Sequence, residues 1–241
     1  MKPRLRKRLL GLMLPVPLLV AAGCGQKQEG SAAAGAVQTP TGRTAASERA
    51  NQALLGAAEP FEAVTEQAFA ASWDQLDNLI RQGDASVRTI RPALRDGVAS
   101  AIERQMAALR AARAAGDRIG IALAAVETYR TLVEAQDPGS ANPPVAVSLL
   151  DYAGFRYDAL AQARSPDWRE MLRLTNFARQ QWLDVAPKVG SRALPGVMDS
   201  AIAAMSSAAQ RQDSSSARKS AAVELALVDL LEEQVASSPV R

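Results

Sequence analysis

The chain contains no histidine and only one cysteine, Cys24, among its 241 residues. Without histidine it cannot build a Ser-His-Asp triad, a Cys-His pair or a histidine-ligated zinc site. A single cysteine also excludes an intramolecular disulfide, a Cys-x-x-Cys redox motif and haem attachment through two thioethers. No glycine-rich phosphate loop follows a strand pattern. We therefore expect a protein that is not an enzyme, needs no cofactor and works by binding.

The first 23 residues have the three parts of a bacterial export signal. The start, "MKPRLRKR", carries five basic residues and no acidic one. An apolar run from Leu9 to Ala22 follows, and its 14 residues are fewer than the roughly 20 that a membrane-spanning helix needs. Small residues then lead into Cys24. This order predicts a signal peptide over residues 1–23 rather than a transmembrane helix.

The sequence "AAGC" at residues 21–24 resembles the lipobox of bacterial lipoprotein precursors. The resemblance covers residues 1–24 only. It implies cleavage before Cys24, a diacylglyceryl thioether and palmitate at the new N-terminus, and a lipid anchor in the membrane. It also implies a place in the cell envelope facing the periplasm, and Gly25 in place of aspartate favours the outer over the inner membrane. The alternative is an ordinary secreted protein with an incidental cysteine.

Removal of the predicted signal peptide changes the charge of the chain. The whole sequence has a net charge of +3, from 28 basic and 25 acidic side chains. Residues 1–23 hold five of the basic side chains and no acidic one, so 23 basic and 25 acidic ones remain, for a net charge of −2. Nucleic-acid binding needs a concentrated basic surface. We therefore expect no nucleic-acid partner; the expected partners are the membrane, through the lipid, and an envelope protein.

Composition divides the remainder into two parts. Residues 24–43 are small and polar, with Val37 as the one large apolar residue, and such a segment cannot bury enough surface to order itself. It is predicted to be a flexible tether. Residues 44–241 are rich in strong helix formers, and apolar residues recur there at helical spacing. They predict an all-α domain, an antiparallel bundle of six to seven helices joined by short loops.

Prolines, glycines and capping residues predict where these helices begin and end. The predicted order begins with a short segment near Ala46–Ala57. Helices follow from Pro60 to Gly83, from Ile90 to Gly116 and from Asp117 to the loop "DPGSANPP". Two more helices begin at Asn142-Pro143 and Ser165-Pro166, another spans Leu194–Arg211, and the last begins near "DSSS".

Two stretches of the chain are alike. The sequence "LRDGVASAI" at residues 94–102 aligns without gaps with "LPGVMDSAI" at residues 194–202. A helix break, "GD" in one copy and "QD" in the other, follows at a similar distance. This favours a duplication with halves near 60–136 and 165–236, that is, two three-helix units joined by the helix at 142–164. The alternative is that alanine-rich amphipathic helices align with one another easily.

Acidic side chains predict a candidate metal site on two consecutive helices. Glu127 and Glu134 are seven residues apart, and so are Asp151 and Asp158, so each pair shares one face of its helix. Carboxylate oxygens are the ligands that hard cations prefer. The alternative is that these carboxylates belong to solvated helix faces, where Glu127 pairs with Arg130.

The same stretch holds all three tyrosines of the chain. Tyr152 and Arg156 are four residues apart on one helix face. Together with Tyr129 and Tyr157 they form a candidate contact surface, although tyrosines at helical spacing are usually half-buried core residues. Gly154 lies between them in mid-helix, which indicates close helix packing or a contact surface.

These observations lead to one functional hypothesis and two alternatives. We expect a lipid-anchored helical bundle of the envelope that binds a protein partner or a small ligand. The first alternative is a periplasmic lipoprotein that handles metal through its carboxylates. The second is a purely structural envelope protein.

Overall fold

The structure, a computed structural model, describes residues 40–237 and the side chains of residues 45–235. This part of the chain is a helical bundle, so the predicted all-α fold is confirmed. Its eight α-helices, with no strand in the described range, are α1 (Pro40–Gln67), α2 (Trp73–Ile90), α3 (Asp96–Ala114), α4 (Arg118–Glu134), α5 (Val145–Ala161), α6 (Trp168–Val185), α7 (Leu194–Gln210) and α8 (Ser214–Ser237). Short 3-10 turns, Arg91–Ala93 and Ala186–Lys188, follow α2 and α6.

The predicted signal peptide, Cys24 and most of the predicted tether lie outside the described residues. Helix α1 begins at Pro40, so the last four residues assigned to the tether, 40–43, are helical. None of the helices in the described range combines the length and the apolar character needed to cross a membrane.

The first two helices differ from the sequence-based boundaries. Pro60 was expected to start a helix, but it lies inside α1, which is 28 residues long. The chain breaks instead at Ser72, whose side chain accepts a hydrogen bond from the Gln75 backbone while the Gln75 side chain accepts one from the Ser72 backbone. This capping box starts α2. The helix predicted from Pro60 to Gly83 is thus divided between α1 and α2, which explains why the described range has eight helices instead of the predicted six to seven.

The predicted helix end at Gly83 is also wrong. Gly83 is buried inside α2, where the ring of Phe61 from α1 lies so close that an added Cβ would come within 2.8 Å of it. Glycine therefore serves close packing of α1 against α2 rather than a turn. The helix predicted to begin at Ile90 begins at Asp96, because Pro92 lies in a 3-10 turn before it. Two other starts are displaced by two or three residues: α5 begins after Pro144, and α6 begins after Asp167, whose side chain caps it.

The eight helices form two sets of four that share three helix-to-helix contacts, and in the second set α6 also packs against α7. In the first set, α1 packs against α2 and α4, and α3 packs against α4. In the second set, α5 packs against α6 and α8, and α7 packs against α8. Helix α5, which was expected to join two three-helix units, is thus the counterpart of α1. The two sets span residues 40–134 and 145–237, and α4 packs against α5 where they meet.

The break before the last helix of each set is built in the same way. Gly116 and Gln212 both adopt positive φ angles, of 68° and 55°, which end the preceding helix. The next residue, Asp117 or Asp213, accepts hydrogen bonds from two backbone amides at the start of the following helix. The "GD" and "QD" of the sequence are therefore equivalent positions 96 residues apart.

Candidate functional site

The four carboxylates of the predicted metal site do not come together in the structure. Glu134 pairs with Arg130 one turn earlier on α4, at 2.7 Å. Glu127 accepts hydrogen bonds from the Tyr152 hydroxyl at 2.9 Å and from Arg156 at 2.6 Å. Within residues 45–235, no group of three or more histidine, cysteine, aspartate or glutamate side chains is placed to hold a metal ion.

The two aspartates on α5 lie in different surroundings. Asp151 is buried, and its negative charge adds to the effect of burial in raising the pKa of Tyr129 on α4. Asp158 is half-buried one turn from Gln162, whose amide donates a hydrogen bond to it at 2.8 Å. Burial raises the pKa of Asp158 despite that hydrogen bond. The seven-residue spacing correctly places both on α5, but it does not create a shared cation site with α4.

The residues expected to form a contact surface are mostly interior. Tyr129, Tyr152 and Tyr157 are all at most 3 % exposed. The Tyr157 hydroxyl donates a 2.6 Å hydrogen bond to the Met205 carbonyl of α7, which satisfies it inside the second set of helices. Burial raises the pKa values of Tyr152 and Tyr157 to about 12. The prediction that the tyrosines form a contact surface is therefore wrong, because all three rings are buried on α4 and α5 as core residues.

Arg156 joins the two sets of helices through ion pairs. Its guanidinium donates to Glu127 of α4 and, at 3.2 Å, to Glu170 of α6. Glu170 also pairs with Arg173 on its own helix. The Arg156 side chain is only 21 % exposed and binds both carboxylates. It therefore acts as a structural link between α4, α5 and α6 rather than as a ligand-binding group.

Arg130 strengthens the same junction by packing over two aromatic rings that contact each other edge to face. Its guanidinium carbon is 5.0 Å from the ring centre of Tyr152 and 5.6 Å from that of Phe177 on α6. Burial lowers the pKa of Arg130, but hydrogen bonds to Glu134 and Tyr152 raise it more, so the group stays charged. Cation–π contacts of this kind contribute roughly 0.5–2 kcal/mol each.

Sequence reasoning missed Glu224, the most unusual polar residue of the second set. It lies on α8 with 0 % exposure, and neither carboxylate oxygen has a hydrogen-bond partner. Burial alone raises its pKa well above the ordinary value. One signal could have found it: Ala221 and Val228, on the apolar stripe of the last helix, lie three and four residues away, so Glu224 shares their buried face.

The close approach of the Glu224 carboxyl explains why residue 154 is a glycine. A Cβ added at Gly154 would come within 2.1 Å of the Glu224 Oε2 and 2.8 Å of the Leu225 Cδ2. The glycine in mid-helix therefore serves close packing of α5 against α8, one of the two roles that its position indicated.

A pocket lies in the second set of helices. It is a partly open cavity of about 390 Å³ between the start of α5, the end of α6 with the turn after it, and the end of α8. Most of its lining is aliphatic, and Asp184 and Lys188 are its charged residues. The lining residues are Pro144, Ala146, Val147, Asp184, Val185, Lys188, Val189, Gly190, Ser191, Leu231, Gln234 and Val235.

A smaller pocket of about 280 Å³ lies in the first set. Its walls come from α1, the end of α2 with the turn after it, the start of α3 and the residue after α4. The lining residues are Ala50, Ala53, Leu54, Thr89, Ile90, Ala93, Leu94, Arg95, Val98 and Ala135. Sequence reasoning identified neither pocket, because each is formed by three segments that are distant along the chain.

Comparison with known proteins finds no matching protein-family model, no matching curated protein and no matching solved structure. The functional argument therefore depends on the pockets and on the chemistry of the residues that line them.

Proposed function

We propose that this chain is a lipid-anchored protein of the cell envelope that binds a small aliphatic molecule in the pocket of its second set of helices. The proposed anchor is Cys24, at the outer membrane and facing the periplasm, and it is supported by the signal-like order of residues 1–24. The binding proposal is carried by one observation, the apolar pocket of about 390 Å³.

The volume and the lining of the pocket favour a small, flexible ligand. Small-molecule sites have volumes of roughly 300–1,000 Å³ and combine apolar walls with a few polar groups. Here the walls are aliphatic, with Val147 and Val185 buried at the base and Leu231 from α8 on one side. Apolar burial contributes about 25 cal/mol per Å². An aliphatic chain therefore suits the pocket better than a sugar or a nucleotide does.

The charged residues at the pocket favour a ligand with one polar end. Lys188 is exposed at the turn after α6, and it can meet an anionic head group while the chain lies against the apolar wall. Asp184, one turn earlier, disfavours a second anionic group. These are binding features, and the pocket lining contains none of the histidine or cysteine side chains that most often catalyse reactions at neutral pH.

Photolabelling with a defined probe tests this proposal. The full chain in lipid nanodiscs would be irradiated with a diazirine-bearing decanoate, and the labelled peptides would be mapped by mass spectrometry. We expect labelling at residues 184–191 and around Leu231 that excess decanoate suppresses. Ala146→Phe, which places a ring in the pocket, should remove this labelling, and Ala204→Phe on the exposed face of α7 should not.

A second variant tests the head-group assignment. Lys188→Ala should weaken competition by decanoate up to about fivefold and leave competition by decanol unchanged, because an exposed ion pair contributes roughly 0.2–1 kcal/mol. Labelling that is the same in the Ala146→Phe variant, or that decanoate does not suppress, would contradict ligand binding in this pocket.

A further inference from the structure

The two pockets occupy equivalent places in the two sets of helices. Five lining residues of the first pocket come from the end of α2 and the segment after it. Each has a counterpart 95 residues later that lines the second pocket. The pairs are Thr89 and Asp184, Ile90 and Val185, Ala93 and Lys188, Leu94 and Val189, and Arg95 and Gly190.

The remaining walls correspond in the same way. Ala53 and Leu54 of α1 line the first pocket, and the residues 93 positions later, Ala146 and Val147 of α5, line the second. Ala135, just after α4, has its counterpart 96 positions later in Leu231 of α8. Eight of the ten residues that line the smaller pocket therefore have an equivalent in the larger one.

The turn after α2 and α6 explains why the pocket is formed twice. Pro92 and Pro187 stand at the same place in their 3-10 turns, and proline cannot donate the backbone hydrogen bond that a continuing helix needs there. The chain leaves the helix axis at this point. Ile90 and Val185, the last residues of the two helices, are buried beneath the turn. The space between the turn and the first helix of the set is the pocket.

We propose that the first-set pocket is a second binding site for the same class of ligand, so that one chain holds two aliphatic molecules. This inference rests on the function proposed above. The two sites differ in size and in charge: the first is smaller, has Thr89 where the second has Asp184, and has Arg95 as its one charged lining residue. The first site therefore suits a shorter chain, with its anionic end at Arg95.

The labelling experiment separates the two sites because it reports each one by its own peptides. In the full chain, the decanoate probe should label residues 89–95 as well as 184–191. Ala53→Phe should remove labelling at 89–95 only, and Ala146→Phe at 184–191 only. The two alanines are equivalent, one exposed and one half-buried, so neither substitution removes a core side chain. Circular dichroism of both variants would show whether they are folded.

The outcomes distinguish this inference from the proposed function. Labelling confined to 184–191 would overturn the second site and leave the proposed function standing. Labelling at neither segment, or none that the matching phenylalanine removes, would overturn both. Arg95→Gln gives a further readout: it should weaken competition by decanoate at 89–95 up to about fivefold, without an effect at 184–191. An equal effect at both segments would contradict a separate first site.

Discussion

The buried carboxyl of Glu224 makes the stability of this protein depend on pH in a way that one substitution removes. Both of its oxygens lie inside the second set of helices without a hydrogen-bond partner, and burial alone raises its pKa well above the ordinary value of 4.5. In the unfolded chain the group is solvated and has its ordinary pKa. The variant Glu224→Gln keeps the shape of the side chain but cannot ionise.

The sign of the effect follows from the two pKa values. Below the unfolded-state pKa both states carry the proton, so the carboxyl has no pH-dependent effect. Above it, the unfolded state loses its proton while the folded state keeps it, and the free energy of unfolding falls by about 1.4 kcal/mol per pH unit until the folded-state pKa is reached. The variant lacks this loss, so its advantage over the parent chain should grow with pH.

Chemical denaturation of the parent chain and the Glu224→Gln variant at matched pH values measures this difference. Between pH 5 and pH 6 we expect the variant to gain up to about 1.4 kcal/mol relative to the parent, which corresponds to at most roughly 5 °C in Tm for a domain of this size. All other titrating groups are common to both proteins and cancel in the difference.

The exposed Glu103 provides a matched control for this experiment. Glu103→Gln should change stability by less than about 1 kcal/mol, because it loses only an exposed ion pair with Arg91. A constant difference between Glu224→Gln and the parent from pH 4.5 to pH 7 would refute the reasoning, because it would mean that the Glu224 carboxyl is solvated or bonded in solution.

Two further predictions concern close packing and the anchor. Gly154→Ala should lower the free energy of unfolding by about 1–3 kcal/mol, because its methyl group would overlap the Glu224 carboxyl. Gly97→Ala, with no atom near the added methyl, should instead stabilise helix α3 by up to about 1 kcal/mol; similar denaturation curves for the two variants would contradict the packing. Cys24→Ala should release the protein from the membrane fraction or leave an uncleaved precursor, as fractionation and intact-mass measurement would show; unchanged mass and fractionation would refute lipidation.

Local patterns in the sequence were sufficient for the helices themselves. A helix depends on contacts between residues three and four apart, so the apolar stripes predicted an all-α fold without knowledge of neighbours. The breaks at Gly116-Asp117 and Gln212-Asp213 were readable for the same reason, since a cap is a bond between residues two or three apart. The prediction of a helix start at Pro60 was wrong because proline marks a helix start only on average, and here α1 continues through Pro60.

The tertiary structure alone decided which faces meet. The seven-residue spacings placed Glu127 and Asp151 on the correct helices, yet an arginine from α5 neutralises Glu127 while Asp151 is buried close to Tyr129. The likeness between residues 94–102 and 194–202 indicated a duplication, but only the packing showed that α5 begins the second set. The two pockets and the burial of Glu224 also depend on how the helices pack. Each depends on side chains dozens of residues apart, and the position of one helix against another is determined by how their surfaces fit rather than by any local pattern.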